Sequence, residues 1–123
     1  MEQKNTVKQQ IGQAWAYHRE GRNDQAIAEF ETVLNQQPDS VDAHYGMGLA
    51  LRAEDRNQQA VESFQKALEL AQRTLNALRS VSEAEGQAGR TNDLGSTDDD
   101  RYMMLIRMIK QRLAELGISE PAN

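Results

Sequence analysis

The sequence predicts an all-α fold, and three observations carry that prediction. The first is an internal repeat. Arg22-Asn23-Asp24-Gln25-Ala26-Ile27 returns 34 residues later as Arg56-Asn57-Gln58-Gln59-Ala60-Val61, and Phe30 and Leu34 return as Phe64 and Leu68. Superposing residues 7–40 on 41–74 gives ten identities, among them Val7/Val41, Gly12/Gly46, Ala16/Ala50 and Glu20/Glu54. The second is that each copy pairs a small residue with a large one four positions on, Ala26 with Phe30 and Ala60 with Phe64. Helices approach closely only where side chains are small, and the large neighbours fill the grooves beside them. The third is a stripe of apolar residues alternating mostly by threes and fours, Val61, Phe64, Leu68, Ala71, Leu75, Leu78 and Val81, which is helical periodicity.

The elements follow in order. Residues 6–20 read as a first helix, with Thr6 at its N-cap and Gly21 as its stop. Residues 23–36 read as its partner, capped by Asn23 or Asp24 and ended by Pro38, because the residue before proline resists the helical region. Ser40 caps a third helix over 40–54, with Asp42 in its first turn. No glycine or proline lies between Asp55 and Gly86, so a fourth helix is expected from 57 to about 84, nearly twice the length of its counterpart. Residues 85–97, with three glycines, read as a loop. A last helix is expected over 98–116, stopped by Gly117, followed by a frayed end.

Paired antiparallel helices repeating every 34 residues resemble the tetratricopeptide repeat family. The resemblance rests on Ala14, Tyr17, Ala26, Phe30, Val33 and Pro38 in the first copy, and on Met47, Gly48, Leu51, Ala60, Phe64 and Ala67 in the second. It implies one domain over 1–123 built as an α–α superhelix: repeat one over 7–40, repeat two over 41–74 with an extended second helix, and a C-terminal capping helix. Some positions depart from the family pattern: Gln10, Gln13 and His44 are polar where large apolar residues are usual, and Gln72 stands where a second proline would close repeat two. Two repeats are fewer than the three usually needed for stability, so the long helix and the last helix are expected to complete the core.

Composition excludes several functional classes. The net charge of −5 is local: residues 80–100 hold six acids against Arg90, and the rest of the chain carries thirteen charges of each sign. That pattern lacks the clustered basic face nucleic acid demands. No apolar run approaches the ~20 residues of a membrane span, and MEQKNTVKQQ has no apolar core of the secretory kind. With no cysteine there is no disulfide framework; a cytoplasmic location is the expectation.

No catalytic, cofactor or metal site is expected either. Asp98, Asp99 and Asp100 are read as acids favoured by a helix N-terminus, and His18 and His44 fall at different repeat offsets. No nucleophile elbow or phosphate loop is present.

The resemblance places the first helix of each pair on the concave surface. The inner positions are then Lys8, Ile11, Trp15, His18 and Arg19 on the first helix and Asp42, Tyr45, Leu49 and Arg52 on the third. Ile11, Trp15, Tyr45 and Leu49 form a large apolar patch ringed by charge, and such patches mark interaction sites. The lysine and asparagines with which some family members hold a terminal carboxylate are replaced here by Ile11, Trp15 and Gly46. Three things satisfy the burial equally: the last helix folded back, a second copy of the chain, or an external peptide. The function this implies is a protein–protein interaction module, a small adaptor or assembly factor that is not an enzyme and binds a peptide or protein segment on its concave face. The alternative is a structural, self-associating homo-oligomer, the homodimer being its simplest form.

Overall fold

The computed structural model describes residues 6–86 and 94–118, with backbone alone at 82–86 and 94–98. Among the described residues five helices follow one another: α1 (Val7–Arg19), α2 (Asn23–Gln36), α3 (Val41–Ala53), α4 (Asn57–Gly86) and α5 (Leu94–Glu115). α1 pairs with α2 and α3 with α4, and α3 also packs on α2, so the two hairpins stack as repeats.

Local sequence sets the helix ends. Thr6 closes a capping box: its hydroxyl accepts from the Gln9 backbone N–H at 3.1 Å, and the Gln9 side chain accepts from the Thr6 N–H at 2.9 Å. Ser40 accepts from Ala43 N–H at 3.1 Å in the same way. α2 differs from expectation. Its N-cap is Arg22, without a side-chain cap, because the Asn23 carboxamide oxygen accepts from His18 Nδ1 at 2.8 Å instead. α1, α3 and α5 share one ending: the second residue past the cap donates back five residues, Arg22 to Tyr17, Arg56 to Leu51 and Ile118 to Leu113. The residue that makes each turn has positive φ, +81° at Gly21, +61° at Asp55 and +88° at Gly117. Asp55 stands at the repeat equivalent of Gly21, and aspartate is among the few residues that visit this region.

The two ends of the α4–α5 connection lie elsewhere than the sequence suggests. α4 runs on to Gly86, and α5 begins at Leu94 instead of Asp98. Asp99 and Asp100 therefore lie beyond the first turn, so the helix-terminus account of these acids does not apply to them. Gly95 falls inside the helix. A single glycine costs a helix about 1 kcal/mol, too little to stop one that is packed along a neighbour. The central part of the expected loop, 87–93, lies outside the described residues, as do 1–5 and the expected frayed end at 119–123.

α3 is the helix around which the others close. Phe30 from α2 and Phe64 from α4 are both fully buried, and each ring packs directly against a glycine of α3. A methyl group at Gly46 would overlap the Phe30 ring, and one at Gly48 would come within 2.6 Å of Phe64. Ala14, Ala26, Ala43, Ala50, Ala60 and Ala67, all fully buried, mark the remaining close approaches.

α4 has 30 residues against 13 in α3, about 45 Å against about 20 Å at 1.5 Å per residue. Its second half therefore runs past the end of α3, and α5 packs along it in the antiparallel direction. Leu75, Ile106, Ile109 and Leu113 close this seam. At one end Arg79 of α4 lies 3.5 Å from the Met103 sulfur of α5. At the other Glu115 meets Arg52 near the end of α3, while Tyr102 and Leu105 lie beside Ser40 and Val41 at its start. α5 thus runs parallel to α3 and ends in the same turn, as the first helix of a third pair would.

The repeat predicts opposite outcomes at two equivalent positions. Gly46→Ala should destabilise by about 1–3 kcal/mol, the usual cost of overpacking. Gly12, its counterpart 34 residues earlier, is exposed with open space around it, so Gly12→Ala should gain up to about 1 kcal/mol of helix propensity. Urea melts of the two variants beside the wild type check this; loss in both would mean that Gly12 is packed as closely as Gly46.

Candidate binding groove

The floor of the groove is α3, and α1 forms one wall. The indole of Trp15 meets Phe30 edge-on with centroids 5.6 Å apart, and Tyr45 at 6.3 Å; Tyr45 in turn meets Phe64 at 5.7 Å. Four rings therefore run Phe30–Trp15–Tyr45–Phe64 from one repeat into the next. Edge and tilted contacts of this kind stabilise beyond the area they bury. Trp15 keeps part of its surface open, whereas Tyr45 is only 7% exposed and belongs to the core.

The second wall is α5, which the sequence offered only as one of three covers for the apolar patch. Glu115 accepts from Arg52 of α3 and, at 2.8 Å, from Arg112 of its own helix. The hydrogen bond from Arg52 is the main reason its carboxyl is held below the ordinary range. Arg112 also lies beside the Tyr45 hydroxyl. Burial raises the pKa of that phenol, and the nearby Arg112 and Arg52 partly oppose the rise. The α5 wall is thus tied to the floor by charge at its C-terminal end. At its other end Tyr102 and Leu105 share with Ile11, Val41 and Asp42 a cavity of about 270 Å³, with Arg101 at its edge.

The sequence-derived positions are distributed as follows. Ile11, Trp15 and Leu49 are half-buried and pack against the core. Lys8, Arg19 and Asp42 are exposed. Arg52 is half-buried in its ion pair with Glu115. His18 is half-buried, its ring edge-on to Trp15 with centroids 6.1 Å apart and its Nδ1 engaged by Asn23, so it also fastens the α1–α2 turn. Gly46, read as an inner position, faces Phe30 instead. The residues missed are Arg101, Tyr102, Leu105, Arg112 and Glu115. Their signal was a cation, Arg112, one residue before Leu113 in an otherwise apolar stripe.

Acid should loosen the α5 wall. A carboxyl with a depressed folded pKa contributes stability above its unfolded value, near 4.5, and loses it as the pH falls through the folded one. Protection of the 105–116 amides, taken against the intrinsic exchange rate at each pH, should therefore fall below that pH in the wild type. Glu115→Gln should lower that protection at neutral pH and remove its fall in acid. Unchanged exchange in the variant would show that the ion pair does not hold α5.

With the helix pairs, the aromatic chain and the third first-helix in view, comparison with known proteins gives a consistent result. No curated protein sequence matches the chain. A family model described as "Tetratricopeptide repeat" matches residues 11–90, well over half of the chain. The match spans both hairpins and the extension of α4, and the protein belongs to the tetratricopeptide repeat family.

Proposed function

We propose that this protein is a small adaptor or assembly factor that holds a segment of another protein between α1 and α5. Tetratricopeptide repeats are typically non-catalytic protein-interaction modules, and among the described residues no helix is long and apolar enough to cross a membrane. The observation that supports the concave face as the site is the half-open state of Ile11, Trp15 and Leu49. They form an apolar strip on a floor of closely packed residues, with a wall on either side. A partly exposed indole backed by rigid rings is the kind of anchor that dominates interaction energies once water is excluded.

The rim supports a partner of a particular sign. Lys8, Arg19, Arg52, Arg101 and Arg112 border the groove against Asp39, Asp42 and Glu115, in a chain whose net charge is −5. A segment with apolar side chains and carboxylates suits that surface. Its acids would be steered in by the rim, and its apolar groups would provide the affinity.

Trp15 is the sole tryptophan, so its emission reports on this groove alone. A partner captured from the source cell should shift that emission to the blue on binding. Trp15→Ala should weaken the partner by ~2 kcal/mol or more, the scale of an anchor residue, with the protein still folded. Tyr45→Ala should instead cost ~3–5 kcal/mol of folding free energy, as for a buried aromatic. Full affinity in folded Trp15→Ala would remove the concave face as the site. A partner-free protein that sediments as a dimer with blue-shifted Trp15 would favour self-association.

A further inference from the structure

Toward the C-termini of α3 and α5 the concave groove ends in a cluster of charge. Arg52 comes from the last turn of α3 and Arg112 from that of α5, and both donate to one carboxylate, Glu115. Gln111 reaches the same carboxylate at 3.4 Å. The charges that act on Tyr45 and Glu115 are those of Arg52, Arg112 and Glu115, two cations against one anion. Donors outnumber acceptors as well, for Arg112 Nε is buried without a hydrogen bond. The cluster adjoins the apolar strip. Leu49 lies three residues before Arg52, on the same side of α3. The ring of Trp15 lies 6.3 Å from that of Tyr45, whose hydroxyl is beside Arg112. At the other end of the groove the balance is reversed: Asp39 and Asp42 line the cavity there with Arg101.

We propose that Glu115 holds, in the free protein, the seat that an acidic side chain of the bound segment takes on Arg52 and Arg112. This rests on the groove reading above and gives it a direction. The acid lies at the arginine end, and the apolar side chains lie along Ile11, Trp15 and Leu49. Three features support an exchangeable occupant. The side chains of Arg52, Arg112 and Glu115 are 30%, 28% and 38% exposed, so a carboxylate arriving from the groove reaches the same donors. Glu115 can leave by turning its own side chain, while Ile109 and Leu113 keep α5 seated in the core. The exchange is also charge for charge, so neither guanidinium is left without a carboxylate, which is the costly outcome when one partner of a pair is simply removed. Glu115 is then an internal competitor. It weakens every acidic ligand and admits those whose apolar groups add enough affinity to displace it.

The probe is a short fluorescein-labelled peptide, capped at both ends, with a central glutamate between leucines. The same peptide with glutamine is the control. In fluorescence anisotropy with the full chain, Glu115→Gln should tighten the glutamate peptide by about fivefold, the upper range for an exposed ion pair. It should leave the glutamine peptide unchanged. Adding Arg52→Gln to Glu115→Gln should abolish the gain. Glu69→Gln removes the same charge from an exposed pair on α4 and should alter neither peptide. Each variant is compared at wild-type far-ultraviolet dichroism. If Glu115 serves only to pin the α5 wall, its loss should weaken both peptides alike, and that result would overturn the proposal. So would unchanged affinity for the glutamate peptide, an equal gain for the glutamine peptide, or a gain that survives Arg52→Gln. Failure of the groove reading is distinct: the peptides would bind without shifting Trp15 emission, or would bind no form of the protein, and the proposal would fall with it.

Discussion

The structure depends on one arrangement: two phenylalanine rings laid against two glycines of the same helix. Gly46 and Gly48 are two residues apart, so they present roughly opposite sides of α3. Phe30 fills one side and Phe64 the other. The first contact joins the repeats and the second closes repeat two. α3 therefore has little freedom to slide or rotate against either neighbour. Trp15 and Tyr45 are positioned by those two rings and form the groove's aromatic edge. The binding surface is in this sense the outer boundary of the core.

Much of this was legible in the sequence because the repeat states it twice. The 34-residue period fixes the number of hairpins, and the returning alanines and phenylalanines fix which faces meet. The small-residue crossings at Ala26 and Ala60 are fully buried as that spacing implies. Turn chemistry was readable at Gly21, where glycine declares a positive φ, and unreadable at Asp55, which adopts the same conformation without the glycine. The cap of α2 was misread for a similar reason. Asn23 can satisfy a helix end or a distant donor, and only the position of His18 decides between them.

The candidate groove was half legible. Repeat register picks out the α1 and α3 positions, but a wall supplied by a helix with no repeat counterpart has no register to be read from. The placement of α5 follows from the length of α4, which carries the chain beyond α3 before it returns. That the returning helix lies parallel to α3, with Glu115 arriving at Arg52, is a tertiary outcome. Tyr45 shows the consequence. Its spacing marks it as an inner residue, yet the arrival of Arg112 beside its hydroxyl leaves it almost fully covered.

α5 also links regions that the repeats alone would keep apart. It is tied to the α3 floor through Glu115 and bears against α4 along Ile106, Ile109 and Leu113, so its two sides belong to one rigid body. A ligand held between α1 and α5 would therefore bear on the packing of α5 against α4. Any free-energy coupling between such binding and the α4–α5 packing is reciprocal: what tightens one tightens the other by the same factor. Its size is limited by how far α5 can move before the Arg52–Glu115 pair breaks. A solenoid of identical repeats passes such influence only from neighbour to neighbour. Here one helix without a partner of its own bears on the α3 floor and on α4 at once.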